Sequence, residues 1–360
     1  QEDTRSIVYS KKNCPFCSMA MEELKLRGIP YDKIDLADIG KTAAEVTGRK
    51  VKTVPQIYIG GKYIGGYEEL MKHLETPFED ESEECRACEG KKMALLDFSK
   101  TYKPFLYPWA VELVKKHEEI HWVEDEAELS EDIQDWRTKL SEEEKEFVTQ
   151  VLRLFTQSDV QVGENYHELL IPKFKNNEIR NMLSSFANRE GVHQRAYALL
   201  NDTLGLPDEE HSAFMEYKEM ADKIDFMKEG NINTHTGLAL ILAQSVFNEG
   251  MSLFASFVML LNFQRFGKMK GMGTIVEWSI RDETMHVQGN AKLFREFCEE
   301  HPRIVNDELK SKIYEMAKNA VKLEDRFITL AYKSGTIEGL TEEDVKQYIR
   351  HIADRRLLQL

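Results

Sequence analysis

The hydrophobic positions of this chain follow two different periods. Over residues 1–76, short runs of alternating apolar positions predict β-strands, and runs with helical spacing lie between them. The predicted strands are "SIVYS", "YDKIDL", "PQIYIG" and "KYIGG", and the predicted helices are "SMAMEELKLRG", "ADIGKTAAEVTG" and "YEELMKHL". This β-α-β-α-β-β-α order predicts a small mixed sheet with helices packed against it, which is an α+β domain.

From about residue 108 the apolar positions recur at helical spacing, with almost no strand signal. The predicted helices are 108–122, 142–169, 177–204, 208–229, 235–265, 272–300, 303–333 and 341–357. Residues 101–360 are therefore predicted to form an all-α bundle.

Between the two patterns, residues 77–100 form an acidic segment without periodicity, which indicates a linker. It carries a second C-x-x-C pair, Cys85 and Cys88. Three interpretations of this pair stay open: an incidental dithiol, a secondary redox relay, or half of a metal site. No neighbouring pair has zinc-ribbon spacing, which disfavours zinc.

Composition supports two globular domains. The chain has 360 residues, of which 42% are hydrophobic and 31% charged, and its net charge is -15. Residues 1–76 hold 12 Lys/Arg and 11 Asp/Glu, whereas the remaining residues hold 36 and 52. The negative charge argues against nucleic acid or an anionic membrane as the main partner.

The run most similar to a membrane span covers residues 236–263. Gln244, Asn248 and Glu249 interrupt its middle, where a bilayer would penalise a carboxylate most. We therefore expect a buried helix of a bundle. No secretory signal is visible, so we expect a cytoplasmic protein.

Two of the five cysteines, Cys14 and Cys17, lie at a predicted strand-to-helix junction. The free N–H groups and positive end of a helix favour a thiolate there, and Lys11 and Lys12 add to this effect. Cys14 is therefore the candidate nucleophile and Cys17 the resolving thiol. Half of a zinc site is the alternative, which the βαβ context disfavours.

The stretches "NCPFC", "TVPQIYIGG" and "IGGYEEL" together resemble glutaredoxin, which implies a thioredoxin-like fold and glutathione as a cofactor. In that family the proline of the T-V-P motif, here Pro55, is cis and lies against the active disulfide. The residues that match the family's glutathione site are Lys11, Thr53, Val54, Gly66, Tyr67 and Glu68. The family often has Asp where Glu68 stands.

In the helical region, the motif E-x-x-H occurs on two predicted helices. Glu190 and His193 form one copy, and Glu283 and His286 form the other. A spacing of three residues places both side chains on one helix face. Two such motifs, plus one carboxylate from each of two further helices, make up the dinuclear site of ferritin-like bundles. One copy alone would indicate only a solvated face.

Candidates for the remaining carboxylates lie on other predicted helices. Glu249 belongs to the most apolar helix, where an unpaired carboxylate is costly. Its alternative is a buried Glu that is paired with Arg or neutral. Asp159 and Glu164 share one helix, and spacing alone leaves the choice between them open.

Residues 100–355 resemble the radical-generating small subunit of class I ribonucleotide reductase, through "TQSD", "NREGVHQRAY", "SVFNEG" and "IVEWSIRDETMH". The resemblance implies a ferritin-like bundle with a dinuclear metal centre. It assigns one metal to Asp159, Glu190 and His193. It assigns the other to Glu249, Glu283 and His286. It also implies a homodimer.

The same resemblance assigns roles around the metals. Tyr197 matches the tyrosine that stores the radical in many members. Trp122, Asp282 and His193 match the inner part of the radical-transfer route, in which Asp282 holds His193 by its second ring nitrogen. Ser279 matches a position near Tyr197 that is often apolar. A hydroxyl there disfavours a stable tyrosyl radical, so we expect the metal pair to hold the oxidising equivalent, with manganese favoured over iron. The alternative is that Ser279 bonds its own helix backbone.

We therefore expect a glutaredoxin fused to the small subunit of ribonucleoside-diphosphate reductase. The expected partners are the large catalytic subunit, O₂ or a related oxidant, and glutathione. Tethering raises the local concentration of the reductant. The alternatives are a stand-alone dinuclear-metal oxidase or metal store, and an interaction scaffold with a structural metal.

Overall fold

The computed structural model describes residues 6–26, 29–74, 94–228 and 230–360. The chain divides into two compact units, Gln1–Glu81 and Ser82–Leu360. We call the first the dithiol unit and the second the helical unit. Cys85 and Cys88 lie outside the described residues.

The dithiol unit contains a four-stranded mixed sheet in the order β2-β1-β3-β4. Its strands are β1 Ile7–Ser10, β2 Asp32–Asp35, β3 Gln56–Ile59 and β4 Lys62–Gly65. Strand β1 pairs parallel with β2 and antiparallel with β3, and β3 pairs antiparallel with β4. Gly60 and Gly61 join β3 to β4 with positive φ at both positions, the conformation that a two-residue hairpin turn requires. The predicted small mixed sheet and the β-α-β-α-β-β-α order of elements along the chain are confirmed.

The helices of this unit are α1 Pro15–Leu26, α2 Ala43–Thr47 and α3 Tyr67–Leu74. Its buried core consists of Val8, Ala20, Leu24, Ile57 and Leu70. The predicted second helix began too early, because Gly40 adopts a positive φ and Thr42 begins the helix through a capping box with Glu45. Helix α1 begins at Pro15, directly after Cys14, where a missing N–H costs nothing.

The helical unit is an all-α bundle, as predicted, among the residues described. Its helices are α4 Pro108–Glu119, α5 Ser130–Thr138, α6 Glu142–Asn165, α7 Asn177–Leu204, α8 Lys218–Lys228, α9 His235–Gly250, α10 Phe254–Arg265, α11 Lys270–Glu300, α12 Asp307–Lys333 and α13 Glu342–Gln359. Helix α6 continues into a single π-helical turn, Tyr166–Leu170. Helices α6 and α7 pack together, as do α9 and α11.

Two predicted helices differ most from the structure, and one observed helix was not predicted. The segment 208–229 contains two short 3₁₀ turns before α8, the segment 235–265 is two helices, and α5 was missed. Helix α5 lacks an apolar stripe because it buries two carboxylates instead. Asp132 accepts hydrogen bonds from the N–H groups of Gly271 and Met272, and Asp135 accepts one from Met269. These bonds satisfy the free N–H groups at the start of α11.

The break between α9 and α10 lies directly after Glu249 and exposes backbone carbonyls inside the bundle. Arg356 of α13 donates through Nε to the carbonyl of Gly250 at 2.8 Å. Lys223 of α8 donates through Nζ to the carbonyl of Ser252 at 2.8 Å. Both cations are buried, and Lys223 also pairs with Glu324. Two buried cations thus stabilise the break that ends the helix carrying Glu249.

The apolar stretch His235–Arg265 is long and apolar enough to cross a membrane by length and composition, but 94% of its most apolar window is buried inside the protein. These two helices form the centre of the bundle, as the polar residues in their middle predicted.

Candidate metal centre and dithiol site

Six acidic and imidazole side chains from four helices meet in the centre of the helical unit. Helix α6 supplies Asp159, α7 supplies Glu190 and His193, α9 supplies Glu249, and α11 supplies Glu283 and His286. They form two overlapping groups, each with potential ligand atoms within 4.8 Å of one another. One group is Asp159, Glu190, His193 and Glu283; the other is Glu190, Glu249, Glu283 and His286. Glu190 and Glu283 belong to both groups. Glu164, the competitor of Asp159, is exposed.

The donor set fits a pair of metal ions. Among the described residues, both carboxylate oxygens of Asp159 are buried without a hydrogen-bond partner. The oxygens of Glu190 and Glu283 and Nδ1 of His193 form no well-aligned hydrogen bond either, although Nδ1 of His286 lies 3.0 Å from Oε1 of Glu190. Buried carboxylates without partners are costly, and cations satisfy them. Four carboxylates and two imidazoles suit iron or manganese, whereas structural zinc sites prefer thiolates and imidazoles.

The electrostatics of the cluster show the same need for positive charge. Burial raises the pKa of Asp159 well above its usual value, and the neighbouring carboxylates of Glu190 and Glu283 raise it further. Burial also raises the pKa of Glu249 to about 8. Burial opposes ionisation of Glu190 as well, but the imidazole of His193 lowers its pKa to about 2. Without cations, the cluster can stay ionised only in part.

The predicted Trp122–Asp282–His193 chain is continuous. Trp122 donates through Nε1 to Oδ2 of Asp282 at 2.8 Å, and Nε2 of His193 lies 2.9 Å from the same oxygen. The indole stacks on the imidazole with ring centroids 5.9 Å apart. Arg189, which the sequence analysis did not single out, is buried and pairs with Oδ1 of Asp282. Asp282 is therefore a buried anion with three partners, and it leaves Nδ1 of His193 facing the carboxylates.

Tyr197 is fully buried and its hydroxyl lies 2.9 Å from Oγ of Ser279. Ser279 also donates to the carbonyl of Ile275, one turn earlier, at 2.8 Å. A carbonyl cannot donate, so the serine proton is used there and Tyr197 donates to Ser279. Ser279 therefore contacts the phenol of Tyr197 and also bonds its own helix backbone. Burial raises the pKa of Tyr197, and the carboxylate of Asp159 adds to this effect.

Three further residues support the cluster but carried no motif. The hydroxyl of Tyr166 lies 2.8 Å from both carboxylate oxygens of Glu249. Asn290 donates through Nδ2 to Oε2 of Glu249 at 2.9 Å. His117 of α4 lies against His286. Helical spacing was the available signal for Asn290, four residues after His286, and for Tyr166, seven residues after Asp159.

In the dithiol unit, Cys14 and Cys17 are joined as a disulfide at the start of α1. The backbone N–H of Cys17 lies 3.2 Å from Sγ of Cys14, so the helix N-terminus faces this sulfur. Cys14 is partly exposed, whereas Cys17 is buried. The Val54–Pro55 peptide bond is cis, and the carbonyl of Val54 lies 3.7 Å from Sγ of Cys14.

The other residues that match the glutathione site lie on three segments of the dithiol unit. Lys11 precedes Cys14 and is exposed, Thr53 and Val54 precede β3, Gly66 directly precedes α3, and Tyr67 and Glu68 begin that helix. The ring of Tyr67 packs 6.0 Å from that of Phe16 in the C-x-x-C motif. Glu69, which the sequence analysis did not single out, accepts a hydrogen bond from the N–H of Gly66 at 2.9 Å. Glu68 is exposed.

The fold and these sites define a class: a helical bundle around a buried cluster of carboxylates and histidines, preceded by a thioredoxin-like domain with a disulfide that is partly exposed at Cys14. Comparison with known proteins agrees. The model of "Ribonucleotide reductase, small chain" matches residues 99–360, and that of "Glutaredoxin" matches residues 7–64. The chain belongs to the ribonucleotide reductase small-chain family and carries a glutaredoxin domain.

Individual relatives support this assignment. The chain is 40% identical over 304 residues to the "Probable ribonucleoside-diphosphate reductase small subunit 376L" of Invertebrate iridescent virus 6, covering 74% of this chain and 84% of that protein. It is 29% identical to the "Ribonucleoside-diphosphate reductase subunit beta" of Chlamydia pneumoniae, covering 71% and 78%. The "Ribonucleotide reductase R2 subunit from Clostridium botulinum" has the same fold, with a TM-score of 0.64 and 22% identity over 70% of this chain and 81% of that chain.

Proposed function

We propose that the helical unit generates the oxidising equivalent for reduction of ribonucleoside diphosphates. We also propose that the dithiol unit reduces the cysteine disulfide that this reaction leaves in the large subunit. The observation that carries the proposal is the pair of overlapping buried ligand groups that share Glu190 and Glu283. A pair of metal ions bound there would supply one-electron oxidising power, with O₂ or a related oxidant as its source. Asp159, Glu190 and His193 would hold one ion, and Glu249, Glu283 and His286 the other.

The route of the oxidising equivalent begins with residues of this chain. Asp282 accepts hydrogen bonds from both Trp122 and His193, so it fixes the tautomer of the imidazole and connects it to the indole. We propose that these three residues form the inner part of an electron and proton route toward a separate large catalytic subunit, with this chain acting as a homodimer in the cytoplasm.

We further propose that Tyr197 does not store the equivalent. A phenol loses its proton when it becomes a neutral radical. The partner of Tyr197 is the alcohol of Ser279, whose own proton is donated to a carbonyl, and an alcohol is a poor base. This arrangement disfavours a long-lived tyrosyl radical, leaves storage to the metal pair, and favours manganese over iron.

The dithiol unit acts in a separate step. The thiolate of Cys14 attacks a cysteine disulfide of the large subunit and forms a mixed disulfide. The thiolate of Cys17 then attacks Cys14, which releases the client as a dithiol and leaves the Cys14–Cys17 disulfide. Two molecules of glutathione reduce that disulfide and become oxidised glutathione. We propose that Lys11, Thr53, Val54, Pro55, Gly66, Tyr67 and Glu68 bind glutathione.

Metal analysis with electron paramagnetic resonance on aerobically reconstituted protein tests the proposal. We expect two metal ions per chain, an oxidised paramagnetic signal after loading with Mn(II), and reduction of ribonucleoside diphosphates when a large subunit and glutathione are added. Two bound ions without an oxidised signal or nucleotide reduction would instead indicate a metal store. Failure to bind two ions would exclude the metal centre.

A further inference from the structure

The two histidines of the cluster have different partners behind them. Nε2 of His193 lies 2.9 Å from the carboxylate of Asp282. Nε2 of His286 lies 3.0 Å from Nε2 of another histidine, His117 of α4. His117 is completely buried, and none of the roles above uses it.

The direction of each hydrogen bond behind His286 follows from the groups at its ends. Nδ1 of His286 lies 3.0 Å from oxygens of both Glu190 and Glu249, so this nitrogen faces the metal site. A neutral imidazole that binds a metal through Nδ1 carries its proton on Nε2 and donates it outward. His117 must then accept through Nε2 and carry its own proton on Nδ1.

The remaining bonds agree with this assignment. Nδ1 of His117 lies 2.8 Å from Oγ of Ser185 on α7. Ser185 in turn donates to Oε1 of Glu118, an exposed carboxylate next to His117 on α4. The hydrogen-bond series therefore has three donors that all point away from the metal site: His286, His117 and Ser185. It ends on the carboxylate of Glu118, which acts as the acceptor.

The ring of His117 is held in this orientation from two sides. It packs edge-on against Phe186 with ring centroids 5.2 Å apart and tilted against His286 at 5.0 Å. Its backbone carbonyl accepts a hydrogen bond from Arg189 at 3.0 Å, the arginine that also pairs with Asp282. Neither ring nitrogen of His117 can therefore turn away from its partner without repacking.

From this geometry we propose that His117 is a positioning residue for the metal ion that His286 would bind, which we call the second ion. It holds the tautomer and ring orientation in which Nδ1 of His286 is free to bind, and Ser185 and Glu118 hold His117 in turn. The proposal rests on the proposed metal centre. It adds that the two histidine ligands are supported differently. His193 is supported directly by a buried anion, whereas His286 is supported through two neutral groups by an anion at the surface.

The test is anaerobic titration of the metal-free full chain with Mn(II), in which the six-line paramagnetic signal reports free Mn(II). Wild-type protein is expected to bind two ions. His117→Leu, which cannot accept the proton of His286, should bind the first ion normally and the second about 10–100-fold more weakly, the usual loss for such outer partners. His117→Gln, whose amide oxygen can accept that proton, should regain most of the affinity. A merely structural role would not weaken the second ion alone, and it would not let glutamine restore the affinity that leucine loses.

Neighbouring residues provide matched controls. Ser185→Ala and Glu118→Gln should weaken the second ion progressively less than His117→Leu, whereas Ser184→Ala and Glu119→Gln should match wild type. If His117→Leu does not fold, the comparison of Ser185→Ala with Ser184→Ala decides. Unchanged second-ion affinity in His117→Leu, glutamine no better than leucine, or equal behaviour of the two serine variants would overturn the role of His117. Failure of wild-type protein to bind two ions would overturn the metal centre itself.

Discussion

The two chemical sites of this chain are built in opposite ways. The disulfide of Cys14 and Cys17 lies within one turn of a helix start, and Cys14 is partly exposed. The carboxylate cluster takes its six side chains from four helices, and all six are buried. A thiol that must meet another protein has to be accessible, whereas a strong oxidant has to be shielded from solvent and from other reductants.

This difference also separates what holds each site in place. The backbone N–H of Cys17 and the carbonyl of Val54 are the groups that lie beside the sulfur of Cys14, at 3.2 and 3.7 Å. The cluster depends on a layer of partners behind it, among them Asp282, Tyr166 and His117, and on the buried cations at the break after Glu249. We therefore expect substitutions in the dithiol unit to act locally. Substitutions in the helical unit should act on metal binding from a distance.

The largest expected effect is in the dithiol unit. Cys14→Ser should abolish glutathione-dependent disulfide reduction, because it removes the attacking thiolate. Cys17→Ser should retain reduction of glutathione mixed disulfides, which needs only one thiol. Both activities are measured with purified full chain, and metal content serves as the control. An active Cys14→Ser variant beside an inactive Cys17→Ser variant would reverse the assignment.

Glu249→Ala should have the next largest effect and should act only in the helical unit. Removal of this carboxylate leaves His286 with fewer anionic neighbours at the second ion, so we expect loss of at least one metal ion per chain. Elemental analysis measures the loss, and unchanged glutaredoxin activity is the control for folding of the dithiol unit. Full metal occupancy in this variant would remove Glu249 from the ligand set.

Gly250→Ala tests whether the break after α9 positions Glu249. A Cβ at Gly250 would lie 2.5 Å from Nε of Arg356 and 2.7 Å from Cγ2 of Val287. Such overpacking costs about 1–3 kcal/mol of unfolding free energy. Denaturant unfolding of the helical unit and Mn(II) affinity should both show the loss.

Gly191→Ala is the matched control for that variant, because its Cβ would approach only the end of the Arg195 side chain, at 3.6 Å. Alanine favours a helix interior over glycine by about 1 kcal/mol, so this variant should be at least as stable as wild type. Equal stability and Mn(II) affinity of Gly250→Ala and wild type would show that the break tolerates a side chain and does not position Glu249.

Tyr197→Phe should have the smallest effect. Ser279 keeps its bond to the carbonyl of Ile275, and the metals keep all their proposed ligands. We expect the oxidised paramagnetic signal and nucleotide reduction to survive. Loss of both, with unchanged metal content, would make Tyr197 the site of the radical and would end the argument for manganese.

Local sequence was sufficient for most of the elements and for the position of the C-x-x-C pair at a helix start. Alternating strands, the Gly60–Gly61 turn and a C-x-x-C pair at a helix start all act within a few residues, so their consequences can be inferred without the fold. The helix 177–204 was predicted with its observed bounds, because Asn176 and Gly205 cap its two ends. The paired E-x-x-H motifs likewise identified four members of the cluster from helical spacing alone.

Only the tertiary structure decided what lies behind these residues. Helix α5 and the break after Gly250 escaped prediction because each is stabilised by groups far away in sequence. Asp132 of α5 accepts a hydrogen bond from the N–H of Gly271 at the start of α11, and Arg356 donates to the carbonyl of Gly250. The same holds for the contact of His117 with His286, 169 residues apart. Periodicity shows which face of a helix is buried, but a partner across the core is set by the packing of whole helices.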